Sequence, residues 1–120
     1  MKEFLLFIRT QGDHEAELSP EQAQQHVQKM MNWMGNMMKE GKVKGGNALE
    51  FKGKIISGSK GTLKDGPFNE TKEIIGGYIH FLAKDLDEAV AIAKTIPILE
   101  DGKGARIEVR PLRMMDGNNG

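Results

Sequence analysis

The sequence predicts an α+β fold, with two helices laid on one face of a four-stranded antiparallel sheet and an extra hairpin in mid-chain. Three observations lead there. Two distant segments, 3–9 and 78–83, have the length of strands and are apolar on both faces for most of it. Two other segments open with capping residues and carry apolar side chains at helical intervals. Between the first helix and the second apolar strand lies a stretch broken by glycines at 45, 46, 53, 58 and 61, the punctuation of short extended pieces.

In the first strand Phe4, Leu6 and Ile8 face one way and Leu5, Phe7 and Arg9 the other. Thr10 to Leu18 is polar, contains Gly12 and reads as a loop. Ser19-Pro20-Glu21-Gln22 opens the first helix: the serine caps, the proline suits the first turn, and Gln22 completes a capping-box spacing. Ala23, Val27, Met30, Met34 and Met37 form its apolar stripe, which Gly41 ends. An extended piece is expected over 43–51, then a hairpin pairing 54–57 with 61–64. A turn follows at Asp65-Gly66-Pro67-Phe68, then a short helical turn or ordered loop over 69–75. Gly76-Gly77 introduces the strand 78–83. Asp85 caps the second helix, with Glu88 three residues on; Leu86, Ala89, Val90, Ala93 and Ile96 are its expected buried stripe and Pro97 its stop. Ala105 to Leu112 alternates as a last strand. Residues 1–112 therefore make one domain and 113–120 a polar, flexible tail. The element order is ferredoxin-like.

Such a sheet carries helices on one face only, yet its two most apolar strands have apolar side chains on both. A second copy of the same sheet is the simplest cover, which predicts a homodimer. The 17 basic and 17 acidic residues balance, removing the electrostatic footprint expected of direct nucleic-acid binding. The chain has no cysteine, so thiol nucleophiles, thiolate metal sites and disulfides are excluded. The apolar run at the N-terminus is too short for a signal peptide, and no stretch approaches a membrane span. A cytoplasmic protein without membrane attachment is expected.

Few residues qualify for chemistry. His26 borders the apolar stripe of the first helix, four residues before Met30, where an imidazole can serve as acid or base or simply cap the core. Asp65 can fold back on its own turn or orient His26. Lys72 and Glu73, with Glu70, form a polar cluster that is either a solvated loop or a ligand contact. Arg9 and Arg110 end strands and are able to hold an anionic group or pair with carboxylates. His80 lies mid-strand beside Tyr78 and Leu82, as a packed histidine or part of a dimer interior. Asp13-His14-Glu15 has metal-ligand types but no second element behind them, and the eight methionines fit an adaptable core. No phosphate-binding glycine fingerprint occurs, and neither a metal nor a cofactor is expected.

The run Asp65-Gly66-Pro67-Phe68-Asn69-Glu70-Thr71-Lys72-Glu73-Ile74-Ile75-Gly76-Gly77-Tyr78 resembles the signature of the DGPF-domain subgroup of the YCII-related family. The opening strand, the Ser-Pro-Glu helix start, Gly45-Gly46 and Glu108-Val109-Arg110-Pro111 extend the likeness over about residues 1–112. The resemblance implies a dimeric α+β barrel in which two sheets face each other across a shared cleft. It also implies a histidine–aspartate active site, with His26 the histidine and Asp65 the candidate partner. The chain departs from relatives that carry cysteine before the proline after the second helix, having Ile96-Pro97 there.

Two functions are compatible with these residues. One is a small-molecule-binding or cofactor-independent acid–base enzyme dimer with its pocket between sheet and first helix. The other is a non-catalytic regulatory or interaction module, transcription-associated as some relatives are labelled.

Overall fold

Alternating side chains in the first strand and a run of small and β-branched residues in the fifth build the centre of the sheet. The computed structural model describes residues 1–10, 18–50, 52–66, 74–101 and 104–113. Its elements are β1 (Lys2–Thr10), α1 (Pro20–Lys39), β2 (Val43–Ala48), β3 (Gly53–Ser57), β4 (Thr62–Gly66), β5 (Ile74–Ala83), α2 (Leu86–Ala93), a 3₁₀ turn (Pro97–Asp101) and β6 (Arg106–Pro111). The main sheet runs β2-β5-β1-β6, all neighbours antiparallel, while β3 and β4 pair separately as a hairpin. This is the ferredoxin-like α+β fold.

The central pair is β1 with β5, in register from Lys2 opposite Ala83 to Thr10 opposite Ile74. Phe4, Leu6, Ile79, Phe81 and Ala83 face the helices and are buried, with the Phe4 and Phe81 rings 5.9 Å apart in a tilted pair. Gly46 is required on β2 because a Cβ there would stand 2.6 Å from the Tyr78 carbonyl oxygen of β5. Two bulges shape the sheet: Lys44 is an extra residue in β2, and Gly76 one in β5.

Helix starts follow the capping chemistry. Ser19 Oγ accepts from the Gln22 N–H at 3.1 Å and Gln22 Oε1 from the Ser19 N–H at 3.0 Å, a complete capping box. Gly41 takes the left-handed conformation, φ 71°, just past the helix end. Asp85 Oδ1 accepts from the Glu88 N–H at 2.9 Å to start α2.

Several boundaries differ from the expectations, each for a local reason. In the 43–51 piece the paired strand ends at Ala48, opposite Gly77, with one further backbone bond from the Leu49 N–H to the carbonyl of the bulged Gly76 at 2.9 Å. Asp65 and Gly66 are strand, not turn, because the loop 58–61, with Gly58 and Gly61 at positive φ, sets a register that pairs them with Lys54 and Gly53. Strand β5 begins at Ile74, ahead of the glycine pair, since Ile74 and Ile75 continue the pairing with Thr10 and Arg9. Pro97 acts at a distance: its ring would meet the carbonyl of Ala93, so α2 already ends there and the proline opens a 3₁₀ turn. Thr95 Oγ1, donating to the Ile92 carbonyl at 2.6 Å, helps close that end.

The stripes shift as well. On α2 the buried set is Ala89, Ile92, Ala93 and, beyond the helix, Ile96, while Leu86 and Val90 are exposed. On α1, Met37 is buried but Val27 is 47% exposed, because the helix stands away from the sheet along its first half. Two ties hold α1 to the far end of α2 and the turn after it. Trp33 Nε1 donates to Thr95 Oγ1 at 2.8 Å, and Lys29 pairs with Glu100 at 3.5 Å. The expected loop around Gly12 with Asp13, His14 and Glu15, the segment 67–73, and the expected tail from 114 lie outside the described residues.

Candidate functional site

The gap under the first half of α1 is a cavity of about 740 Å³ between that helix and the β1–β5–β2 part of the sheet. Its size falls within the roughly 300–1,000 Å³ of small-molecule pockets. Its wall is mostly apolar, with Ile8 and Ile74 from the sheet and Met30 and Met34 from the helix. Into this wall the fold sets two buried polar side chains, His26 of α1 and Thr10 at the end of β1. Glu50, just past β2, is an exposed carboxylate at the rim.

His26 reaches the cavity because the capping box fixes where α1 starts, and therefore which face the seventh helical residue presents. Thr10 reaches it by strand parity: it continues Phe4, Leu6 and Ile8 on the helix-facing side. An imidazole and a hydroxyl in an otherwise apolar wall can orient a polar group of a ligand. The imidazole can also give or take its proton.

The other predicted residues are dispersed. Arg9 points to the opposite, helix-free face of the sheet, where Nη1 donates to Glu108 Oε1 at 2.6 Å. Arg110 lies on that face too, its Nε 3.9 Å from the other Glu108 oxygen. His26 and the two arginines are thus separated by the thickness of the sheet. Asp65 sits in β4 opposite Lys54, and its side chain is outside the described residues, as are Lys72 and Glu73.

The helix-free face also holds a cluster that sequence reasoning missed. Glu3 Oε1 accepts from His80 Nε2 at 2.7 Å and from Lys44 Nζ at 3.2 Å. The hydrogen bond from Lys44, then that from His80, hold the Glu3 carboxyl below its usual range. The His80 contact depends on cross-strand register and the Lys44 contact on the bulge in β2, neither of which a single sequence displays. Thr10 was legible in principle, had the alternation been carried one residue past Arg9. Among the described residues no group of three metal-ligating side chains occurs, and no helix is long and apolar enough to cross a membrane.

Among solved structures, the fold is similar to 5-chloro-2-hydroxyhydroquinone dehydrochlorinase from Burkholderia phenoliruptrix AC1100, in complex with 2,5-dihydroxybenzoquinone. The TM-score is 0.50 over 97% of this chain and 98% of that one, at 14% identity, so the likeness concerns the fold alone. No curated protein matches the chain in sequence. The model of the YCII-related domain matches residues 3–113, nearly the full length, and the chain belongs to that family.

Proposed function

We propose that this YCII-related chain, of the DGPF subgroup by its 65–78 signature, works as a homodimer that binds a small molecule under α1 and acts on it by acid–base chemistry without a cofactor. The observation that carries the reading is the placement of His26, buried, in the wall of a cavity of about 740 Å³. His26 gives or takes the proton, Asp65 orients it, and Thr10 fixes a polar group of the ligand. Elimination, isomerisation and hydrolysis all fit a single imidazole in an apolar chamber. The dehydrochlorinase of similar fold was captured with a hydroxylated quinone, which makes hydroxylated ring compounds the first probes to try.

Partly buried Leu5, Phe7, Tyr78 and Leu82 share the helix-free face with the Arg9–Glu108 and Glu3–His80–Lys44 pairings. Docked on a second copy, that apolar strip with charged margins would form the interior of a dimer. Arg9 and Arg110, and Lys72 and Glu73 from the DGPF segment, would then be the side chains available to an anionic group in the shared cleft.

The test is a thermal-shift and turnover screen of small hydroxylated ring compounds on the wild type and on His26→Gln. Turnover that falls at least 100-fold in His26→Gln, with the melting temperature held within a few degrees, supports the acid–base role. Unchanged turnover removes it. Ligands that stabilise both proteins without being converted would leave a binding module.

A further inference from the structure

The chamber under α1 is larger than one ring requires. An apolar cavity of roughly 150 Å³ is enough to hold benzene, and this one measures about 740 Å³. A single-ring ligand would leave most of the wall without a partner, forfeiting the contacts that make apolar burial favourable. Volume therefore points to a ligand several times the size of one ring.

The walls say what shape and character that ligand has. Two opposed surfaces bound the space: Met30 and Met34 on the α1 side, Ile8, Ile74 and Ile79 on the sheet side. A gap between a helix and a sheet admits a flat body more readily than a round one. Isoleucines are stiff at χ1, so the sheet forms a fixed floor. Methionines are flexible, and their sulfurs make favourable contacts with aromatic rings, so the helix side can adjust to a ring laid on that floor.

Polarity and charge narrow the class further. His26 and Thr10 are the buried polar side chains of the wall, 9% and 6% exposed. Among the described residues of the lining there is no lysine or arginine. Glu50 at the rim is paired with Lys52 at 3.8 Å, with both side chains in solvent. An anion inside would have a single imidazole to answer it and hydrocarbon or thioether around the rest, and burying a poorly paired charge is costly.

We infer that the ligand of this chamber is an uncharged, flat compound of three or four fused rings, largely aromatic, with a hydroxyl or carbonyl oxygen that meets His26. This rests on the acid–base reading above and deepens it by naming the substrate class: the oxygen is the group on which His26 acts, and the ring system is what Met30 and Met34 hold against the sheet.

Equilibrium dialysis at pH 7 tests it with phenol, 2-naphthol, 9-phenanthrol and phenanthrene-9-carboxylate. A phenolic hydroxyl, with a pKa near about 10, is neutral there, whereas the carboxylate is charged. The expected result is a rise in affinity along the three phenols, reaching at least 100-fold from phenol to 9-phenanthrol, with the carboxylate at least tenfold weaker than 9-phenanthrol. Ala48→Trp on β2 and Val27→Trp on α1 each place a ring in the chamber from its lining. Each should weaken 9-phenanthrol at least tenfold with circular dichroism unchanged, while Ile56→Trp on the β3–β4 hairpin leaves it as in the wild type. Equal loss in all three variants, or in none, means adsorption elsewhere and overturns the inference. Phenol binding as tightly as 9-phenanthrol, or the carboxylate doing so, also overturns it but leaves His26 as acid or base of a smaller or anionic substrate. If instead the phenanthrol binds as expected and His26→Gln turns compounds over like the wild type, the ligand class stands and the acid–base role falls.

Discussion

Glu3 shows how one surface charge is shared, because one of its oxygens serves both a lysine and a histidine. Its carboxyl is held below the usual value of 4.5, chiefly by Lys44. A carboxyl depressed in the folded state adds stability that is complete above its unfolded value and is lost as pH falls through the folded one. The advantage of the wild type over Glu3→Gln should therefore be constant above about pH 5 and shrink in more acid solution, as read from urea midpoints across that range. Carbon-13 titration of the Glu3 carboxyl should show a larger upward move in Lys44→Met than in His80→Gln; the reverse order would mean that the histidine is the main partner. Glycines give a second contrast at this scale. Gly46→Ala must push against the Tyr78 carbonyl and should cost about 1–3 kcal/mol, whereas Gly45→Ala meets nothing within 4 Å and should stay within about 1 kcal/mol, both by urea unfolding.

For the elements, capping signals proved the most legible part of the chain. Ser19, Pro20 and Gln22 announced the start of α1, and Asp85 with Glu88 that of α2, since these contacts are made within four residues and need no tertiary partner. Ser19→Ala should lower stability by about 1 kcal/mol with the helix content otherwise intact, measured by urea unfolding followed at 222 nm. What failed was which side of a helix ends up inside. The periodicity of α1 identified Val27 as core, but a stripe only says that a face is apolar, and here part of that face borders empty space and solvent. The same limit misassigned Leu86 and Val90 on α2, where a broad apolar face left two adjacent choices and the sheet took the one centred on Ala89 and Ile92. Proline influence was also read too locally, because its clash is with a carbonyl four residues back.

Across the molecule, the order of elements and the antiparallel sheet could be read because hydrophobic alternation and helix starts are local signals. His26 was found for the same reason, as a polar residue bordering an apolar stripe. Its separation from Arg9 and Arg110 could not be seen, since alternation sorts strand residues into two faces but only the folded sheet shows which face receives the helices. Two apolar faces on both β1 and β5 were the sequence ground for expecting a dimer. Phe7→Glu tests that directly: a carboxylate placed in an apolar contact between sheets should weaken association by about 100-fold or more, read by sedimentation at several concentrations. A variant that sediments as the wild type does would mean that the sheet face is not the contact.

Trp33 gives the molecule an optical reporter. It is the chain's one tryptophan, and its indole N–H is tied to Thr95, so its emission senses the spacing between α1 and the end of α2. A compound that enters beneath α1 and lifts the helix would stretch or break that bond and change the intrinsic fluorescence without any label. Thr95→Val, which removes the acceptor, provides the spectrum of the untied indole in advance. Ligand titrations can then be calibrated between the tied and untied limits, so binding can be followed in dilute solution before any substrate or assay is known.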